Sequence, residues 1–308
     1  MSYERVSASR TGFNWKRFAK KAFLAVTILI LVSLLPLIYY QTKGRSGIER
    51  RQLRTYFESG DFESAYTYSK SILEEKPMDS FFLTINGYSA YQLAIAQINN
   101  SDTLSYLDEC IWSLRKALLS GGNSGDGRIF YVLGKAYYHK GQGFADLAVA
   151  YLEKARAAPF MAADIPEYMG LAYANIHDYR SSVEAFTLAL SDEPSDLLLL
   201  SIARSYRELE EDDSAKAYLL RCLEISKDSK TMTAARLLLG KTLLKAGDTG
   251  AAEKEFLKAI EEGGENAELR YQLGELYALG GDTTRARAEW RRALRIDPTY
   301  NPARSRLN

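Results

Sequence analysis

One sparse pattern recurs along this chain at a near-constant spacing, and it constrains the fold more than any other feature. Counting Ala267 as position 1, Leu273, Gly274 and Tyr277 fall at positions 7, 8 and 11, and Ala286, Trp290, Ala293 and Pro298 at 20, 24, 27 and 32. At 34 residues upstream, Leu239, Gly240 and Leu243, then Ala252, Phe256 and Ala259, take the same places. Gly274 lies inside an apolar helical run, where it costs about 1 kcal/mol relative to alanine. Its place in the repeat supplies a reason. Small residues at positions 8, 20 and 27 let helix axes approach to about 8–10 Å, and large residues at 7, 11 and 24 fill the space between them. The proline stops the second helix, which it cannot continue. Gly60-Asp61, Gly247-Asp248 and Gly281-Asp282 fall in register between the two helices, as turn chemistry at a fixed place.

The pattern continues towards the N-terminus with slips. Ile202, Ala203, Tyr206, Ala215, Leu219 and Cys222 form one unit, and Met169, Gly170, Tyr173, Ser182, Phe186, Ala189 and Pro194 another. Leu133, Gly134, Tyr137, Ala148, Leu152 and Ala155 form a unit with two extra residues between its helices. Gly87 leads to Cys110, Leu114 and Ala117 across about eleven inserted residues, around Ala96–Glu109. The first unit is degenerate: Tyr56, Ala65, Ile72 and Pro77 fit, but Gln52 and Leu53 replace the Leu-Gly pair.

These residues resemble the tetratricopeptide repeat, a helix–turn–helix unit. The resemblance covers residues 46–300 as about seven units and implies an all-α, right-handed solenoid. It also implies that alanine is tolerated at position 8, as at Ala203, so Gly274→Ala is expected to be mild. Residues 301–308 offer barely a capping helix, which leaves the last unit's apolar face open.

The N-terminal part reads differently. Ala22–Tyr40 is 19 residues without a charge, roughly 28 Å as a helix, about one bilayer core. Phe13, Trp15 and Phe18 precede it and Tyr39 and Tyr40 close it, as rings at both membrane interfaces would. A cleaved signal peptide would have a shorter apolar region followed by an A-x-A-like site, and "IYYQTKGRS" offers none. The expected organisation is a basic tail at 1–21, a transmembrane anchor at 22–40, a linker at 41–45, the solenoid at 46–300 and a tail at 301–308. Arg5, Arg10, Lys16, Arg17, Lys20 and Lys21 precede the span, while Lys43, Arg45, Arg50, Arg51 and Arg54 follow it. The short basic N-terminus favours staying in the cytoplasm, which puts the repeats outside a single-pass inner (cytoplasmic) membrane anchor. The body is mildly acidic and lacks the clustered basic face of a nucleic-acid binder.

Candidates for chemistry dissolve into the repeat. "GKT" at Gly240–Thr242 ends like a phosphate loop, but the loop's first glycine would be residue 235, which is Ala235, and no strand precedes it. His177 falls where Gly247 and Gly281 fall, in the turn, and neither it nor His139 has partners at metal-ligand spacing. Cys110 and Cys222 take small-residue positions three units apart, beyond disulfide reach, and read as free buried thiols. No catalytic residue, metal site or cofactor is expected, and the chain reads as a non-enzyme.

The resemblance implies a concave surface lined by positions 2, 5, 9, 12 and 13 of the first helices. Among these, Tyr88, Tyr91, Arg128, Tyr131, Lys135, Tyr138, Arg204, Arg207 and Lys241 are the candidate partner-binding residues. Phe81, Thr84, Gln92, His139, Lys245 and Tyr271 fall at the same positions. The first half is tyrosine-rich, suited to interfaces; the second is basic, suited to carboxylates. One subclass of the family clamps a C-terminal carboxylate with lysine and asparagine, but no unit here has asparagine at position 9. The expected function is a membrane-anchored scaffold for protein or peptide partners, in assembly of an envelope complex. The alternatives are an extracytoplasmic chaperone holding exported clients and, behind it, a regulatory subunit of a membrane enzyme. The insertion is a second candidate contact.

Overall fold

The computed structural model describes residues 47–97, 99–121, 125–190 and 195–308. The basic tail at 1–21, the apolar span at 22–40 and the linker at 41–45 lie outside the described residues. Among the described residues no helix is long and apolar enough to cross a membrane. Fifteen α-helices and no strand are present among them. They pair as α1 (residues 47–58) with α2 (Phe62–Glu75), α3 (Ser80–Ala96) with α4 (Asn100–Leu119), and α5 (Gly127–Lys140) with α6 (Ala145–Ala157). Next come α7 (Ile165–Asn175) with α8 (Tyr179–Leu190), and α9 (Asp196–Glu208) with α10 (Asp212–Ile225). Then follow α11 (Ser229–Lys245) with α12 (Thr249–Gly263), α13 (Ala267–Leu279) with α14 (Thr283–Ile296), and a last helix α15 (Asn301–Leu307). Each first helix packs on its own second helix, each second helix packs on the next unit, and first helices also touch at α3–α5, α5–α7, α9–α11 and α11–α13. This is a solenoid of seven units with a layer of first helices along one side.

The turns explain the Gly-Asp signature. Position 15 takes positive φ in six units: Gly60 at 79°, Gly141 at 107°, His177 at 63°, Glu210 at 60°, Gly247 at 84° and Gly281 at 79°. Glycine adopts this conformation without steric cost, while His177 and Glu210 hold it at some cost. The aspartate that follows caps the second helix. Asp61, Asp248 and Asp282 accept hydrogen bonds from the backbone N–H of Ser64, Ala251 and Arg285 at 3.1, 3.0 and 2.9 Å.

The glycine at position 8 meets the large residue at position 24 of its own unit. A Cβ at Gly134 would lie 2.6 Å from Leu152, at Gly240 2.4 Å from Phe256, and at Gly274 2.3 Å from Trp290. In the fifth unit, Ala203 sits at position 8 and Leu219 at position 24, both fully buried. The fifth unit thus accommodates alanine at position 8 opposite a leucine, although Gly87 and Gly134 also face leucines. The expectation that Gly274→Ala is mild fails, because the residue opposite is a tryptophan with its ring edge against the glycine.

The C-terminal expectation also changes. Residues 301–308 are not an open end: α15 lies on the last unit, with Ala303 fully buried among Ala286, Trp290 and Ala293. Arg306 donates to Glu275 at 2.9 Å and lies 5.9 Å from the Trp290 ring centre. The eleven-residue insertion is largely helical. It lengthens α3 and α4, and α4, at 20 residues, is the longest of the described helices.

A buried charge pair replaces apolar packing between positions 4 and 23 in the last two units. Arg236 meets Glu255 at 2.7 Å, and Arg270 meets Glu289 at 3.1 Å, with side chains 11% and 9% exposed in the second pair. In the third unit the same positions hold Phe130 and Tyr151, with ring centres 6.3 Å apart. Removing one partner of a buried pair strands the other. Arg270→Met is expected to cost about 2–3 kcal/mol in denaturant unfolding, less than a full buried-pair loss because Arg292 still reaches Glu289 at 2.5 Å. The double change Arg270→Phe and Glu289→Tyr imports the third unit's pair and should recover most of that loss. A double variant no more stable than the single one would show that the pair is not exchangeable for packing.

Candidate partner-binding groove

Three consecutive first helices, α3, α5 and α7, bring the tyrosine-rich residues into one cluster centred on Lys135. The Lys135 ammonium donates to the Tyr131 hydroxyl and to Asp164, each at 2.9 Å. Tyr131 in turn donates to Asp164 at 2.7 Å. The same ammonium lies 4.3, 4.8 and 5.8 Å from the ring centres of Tyr168, Tyr131 and Tyr91. Around it, Tyr138 packs edge-on against Tyr168 at 5.5 Å, and His139 lies 5.8 Å from Tyr168 and 6.2 Å from Tyr91. Burial opposes the charge on Lys135, but the bonds to Tyr131 and Asp164 outweigh it and hold the amine above its usual range. Burial pushes the Tyr131 phenol up to about 12. Lys135 thus stays charged but is satisfied internally. The face it leaves to solvent is aromatic and hydroxyl-bearing.

The remaining candidates fall elsewhere. Tyr88 packs against Phe57 at 6.3 Å, with its hydroxyl buried and unpartnered. Arg128 is exposed at the start of α5. Lys241 pairs with Glu268 at 3.1 Å, in the register of Lys135 and Asp164: position 9 of one unit against position 2 of the next. Lys245 pairs with Asp212 at 2.8 Å. At the exposed Arg204 the facing position 2 is Ala234, while Arg207 is half-buried, its Nε lacking a partner. The basic half is therefore partly neutralised from within, and four of the nine candidates, Tyr91, Tyr131, Lys135 and Tyr138, are brought together.

Two members of the cluster escape a reading of residue positions. Asp164 stands at position 2 of the fourth unit, where applying the register would have found it. Tyr168 stands at position 6, outside the groove-facing set. A second cleft also went unforeseen. It lies on the outer side between α2 and α4, about 580 Å³, beside Trp112, which is 52% exposed. The position-24 residue of the first unit is Ser69, which hydrogen-bonds Asn86 at 2.9 Å where other units place a bulky apolar side chain.

The other motifs take structural places. Gly240 and Lys241 lie within α11, and Thr242 there donates to the Leu238 carbonyl at 3.0 Å. Cys110 and Cys222 are free and buried, and burial pushes the Cys222 thiol up to about 11. Among the described residues no three His, Cys, Asp or Glu side chains gather as a metal site.

A solenoid of paired helices with turn, cap and small–large packing repeated at fixed positions defines a helical-repeat protein. Family models described as tetratricopeptide repeat match residues 198–229 and 237–301, its fifth to seventh units. No curated protein matches the sequence. Among solved structures, the C-terminal part of a TPR repeat-containing protein from Cytophaga hutchinsonii aligns at 17% identity and TM-score 0.59, over 84% of this chain and 99% of that one. A tetratricopeptide repeat protein from Parabacteroides merdae aligns at 16% identity and TM-score 0.53, over 85% and 96%. The pilF protein of Pseudomonas aeruginosa aligns at 16% and 0.53, over 71% and 95%. At these identities the likeness is one of fold.

Proposed function

We propose that this protein is a non-enzymatic scaffold. In this reading the apolar stretch 22–40 holds it to a membrane, and its groove binds a protein or peptide partner in assembly of an envelope complex. The observation that carries the binding part is the cluster on α3, α5 and α7. Five aromatic side chains from three consecutive units gather there on the first-helix side, around a lysine whose charge is already met. Tyr91 is buried beneath, Tyr131, Tyr138 and Tyr168 are partly exposed and His139 is exposed, a mix of apolar ring and polar tip that interfaces favour. Anchoring rests on the charge-free 19-residue stretch and its flanking rings, and an extracytoplasmic body rests on the basic residues before it.

Crosslinking in native membranes followed by purification tests the scaffold reading. A stable complex of fixed stoichiometry is expected, whereas a broad, substoichiometric set of clients would replace it with a chaperone. Topology has its own test. A reporter active only after export, fused after Asn308, is expected to be active, and a working cytoplasm-only reporter there would reverse the orientation.

A further inference from the structure

The insertion between α3 and α4 does more than lengthen two helices. The last turn of α3, the first turns of α4 and the end of α5 enclose a cavity of about 210 Å³ lined by Ala94, Ile95, Gln97, Thr103, Leu107 and His139. Ala94 and Leu107 are buried and form its apolar floor, while Ile95, 52% exposed, stands at the mouth. Its lining has no Asp, Glu, Lys or Arg. Burial and the nearby Lys135 hold the His139 imidazole below its usual range, which disfavours its charged form. His139 also belongs to the aromatic cluster, through Tyr91, Tyr138 and Tyr168. The cavity therefore shares His139 with the groove.

We propose that this cavity is an anchor pocket for one aliphatic side chain, of leucine, isoleucine or methionine size, from a partner segment lying across His139 onto Tyr138 and Tyr168. The inference rests on the groove reading above and names the chemistry of one partner residue. A charged side chain in the pocket would lose its hydration without meeting a counter-charge. An alanine would leave the apolar floor wet. Burying the larger aliphatic group is worth on the order of tenfold to a hundredfold in affinity.

The test is selection of a random phage-displayed peptide library on the full-length protein held in nanodiscs. It uses the wild type, Thr103→Phe, which fills the cavity, and Ile95→Asp, which places a carboxylate at its mouth. Thr103 and Ile95 are not core residues, so melting of both variants should match the wild type. Wild-type protein should enrich peptides with Leu, Ile or Met at one aligned position. Thr103→Phe should bind those peptides at least tenfold more weakly, and Ile95→Asp should shift the preference towards Lys or Arg. If the wild type enriches peptides without an aliphatic preference, or Thr103→Phe binds them equally well, the pocket is not an anchor and the groove reading stands. If enriched peptides still bind after Tyr138→Ala and Tyr168→Ala, or if none is enriched, the groove reading falls and the anchor with it.

Discussion

Replacing Gly274 with alanine is expected to destabilise the C-terminal units by about 1–2 kcal/mol, and replacing it with leucine by about 3 kcal/mol or more. Alanine gains about 1 kcal/mol in helix propensity, and overpacking costs about 1–3 kcal/mol. Here the packing wins, because a Cβ would sit 2.3 and 2.4 Å from the Nε1 and Cδ1 atoms of Trp290, a rigid ring wedged between the helices. The remedy is written in the fifth unit, where Ala203 goes with Leu219. Trp290→Leu alone should cost about 2–3 kcal/mol through lost packing. Combined with Gly274→Ala, it should cost at least about 1 kcal/mol less than the two single effects added, the coupling expected of residues in contact. Urea unfolding of the four proteins gives the cycle. Strict additivity would mean that positions 8 and 24 do not compete for the same space.

The second large effect concerns binding. Alanine at both Tyr138 and Tyr168 is expected to weaken partner capture by at least about thirtyfold, since a buried aromatic anchor is worth about 2 kcal/mol or more. Thermal stability should fall less than capture does, because both rings sit partly exposed on the surface of the buried core against which they pack. Tyr88→Ala should do the reverse, costing stability through its packing on Phe57 and leaving capture nearly intact. Salt should matter little, as Lys135 and Lys241 are already paired with Asp164 and Glu268. Capture that survives the double replacement, or is lost with Tyr88 alone, would move the binding surface away from this cluster.

Much of the fold is legible in the sequence because repeats convert packing into position. A glycine at position 8, an aspartate after the turn and an aromatic or leucine at position 24 each do one mechanical job, and each job recurs. Even His177 could be placed in its left-handed turn. What stayed hidden depends on contacts between positions. Gly274 looks interchangeable with Ala203 until the residue opposite each is known. Lys135 and Lys241 look like free groove cations, but an acid at position 2 of the next unit meets each of them. Arg204 has no such acid, and only the paired register distinguishes it. The tail at 301–308 is too short for periodicity to declare a helix; what folds it is the apolar face of α14, on which Ala303 is buried.

The groove is the central claim, and site-specific photocrosslinking in native membranes tests it most directly. A benzophenone side chain replaces Tyr138 in the cluster, Trp112 in the outer cleft, or Leu220 on the outer helix α10, where both of the latter are about half exposed. Irradiation followed by mass spectrometry should give one discrete partner adduct from position 138 and none, or only scattered products, from positions 112 and 220. The same discrete adduct arising from 112 or 220 and not from 138 would contradict the account and place the partner on the outer face.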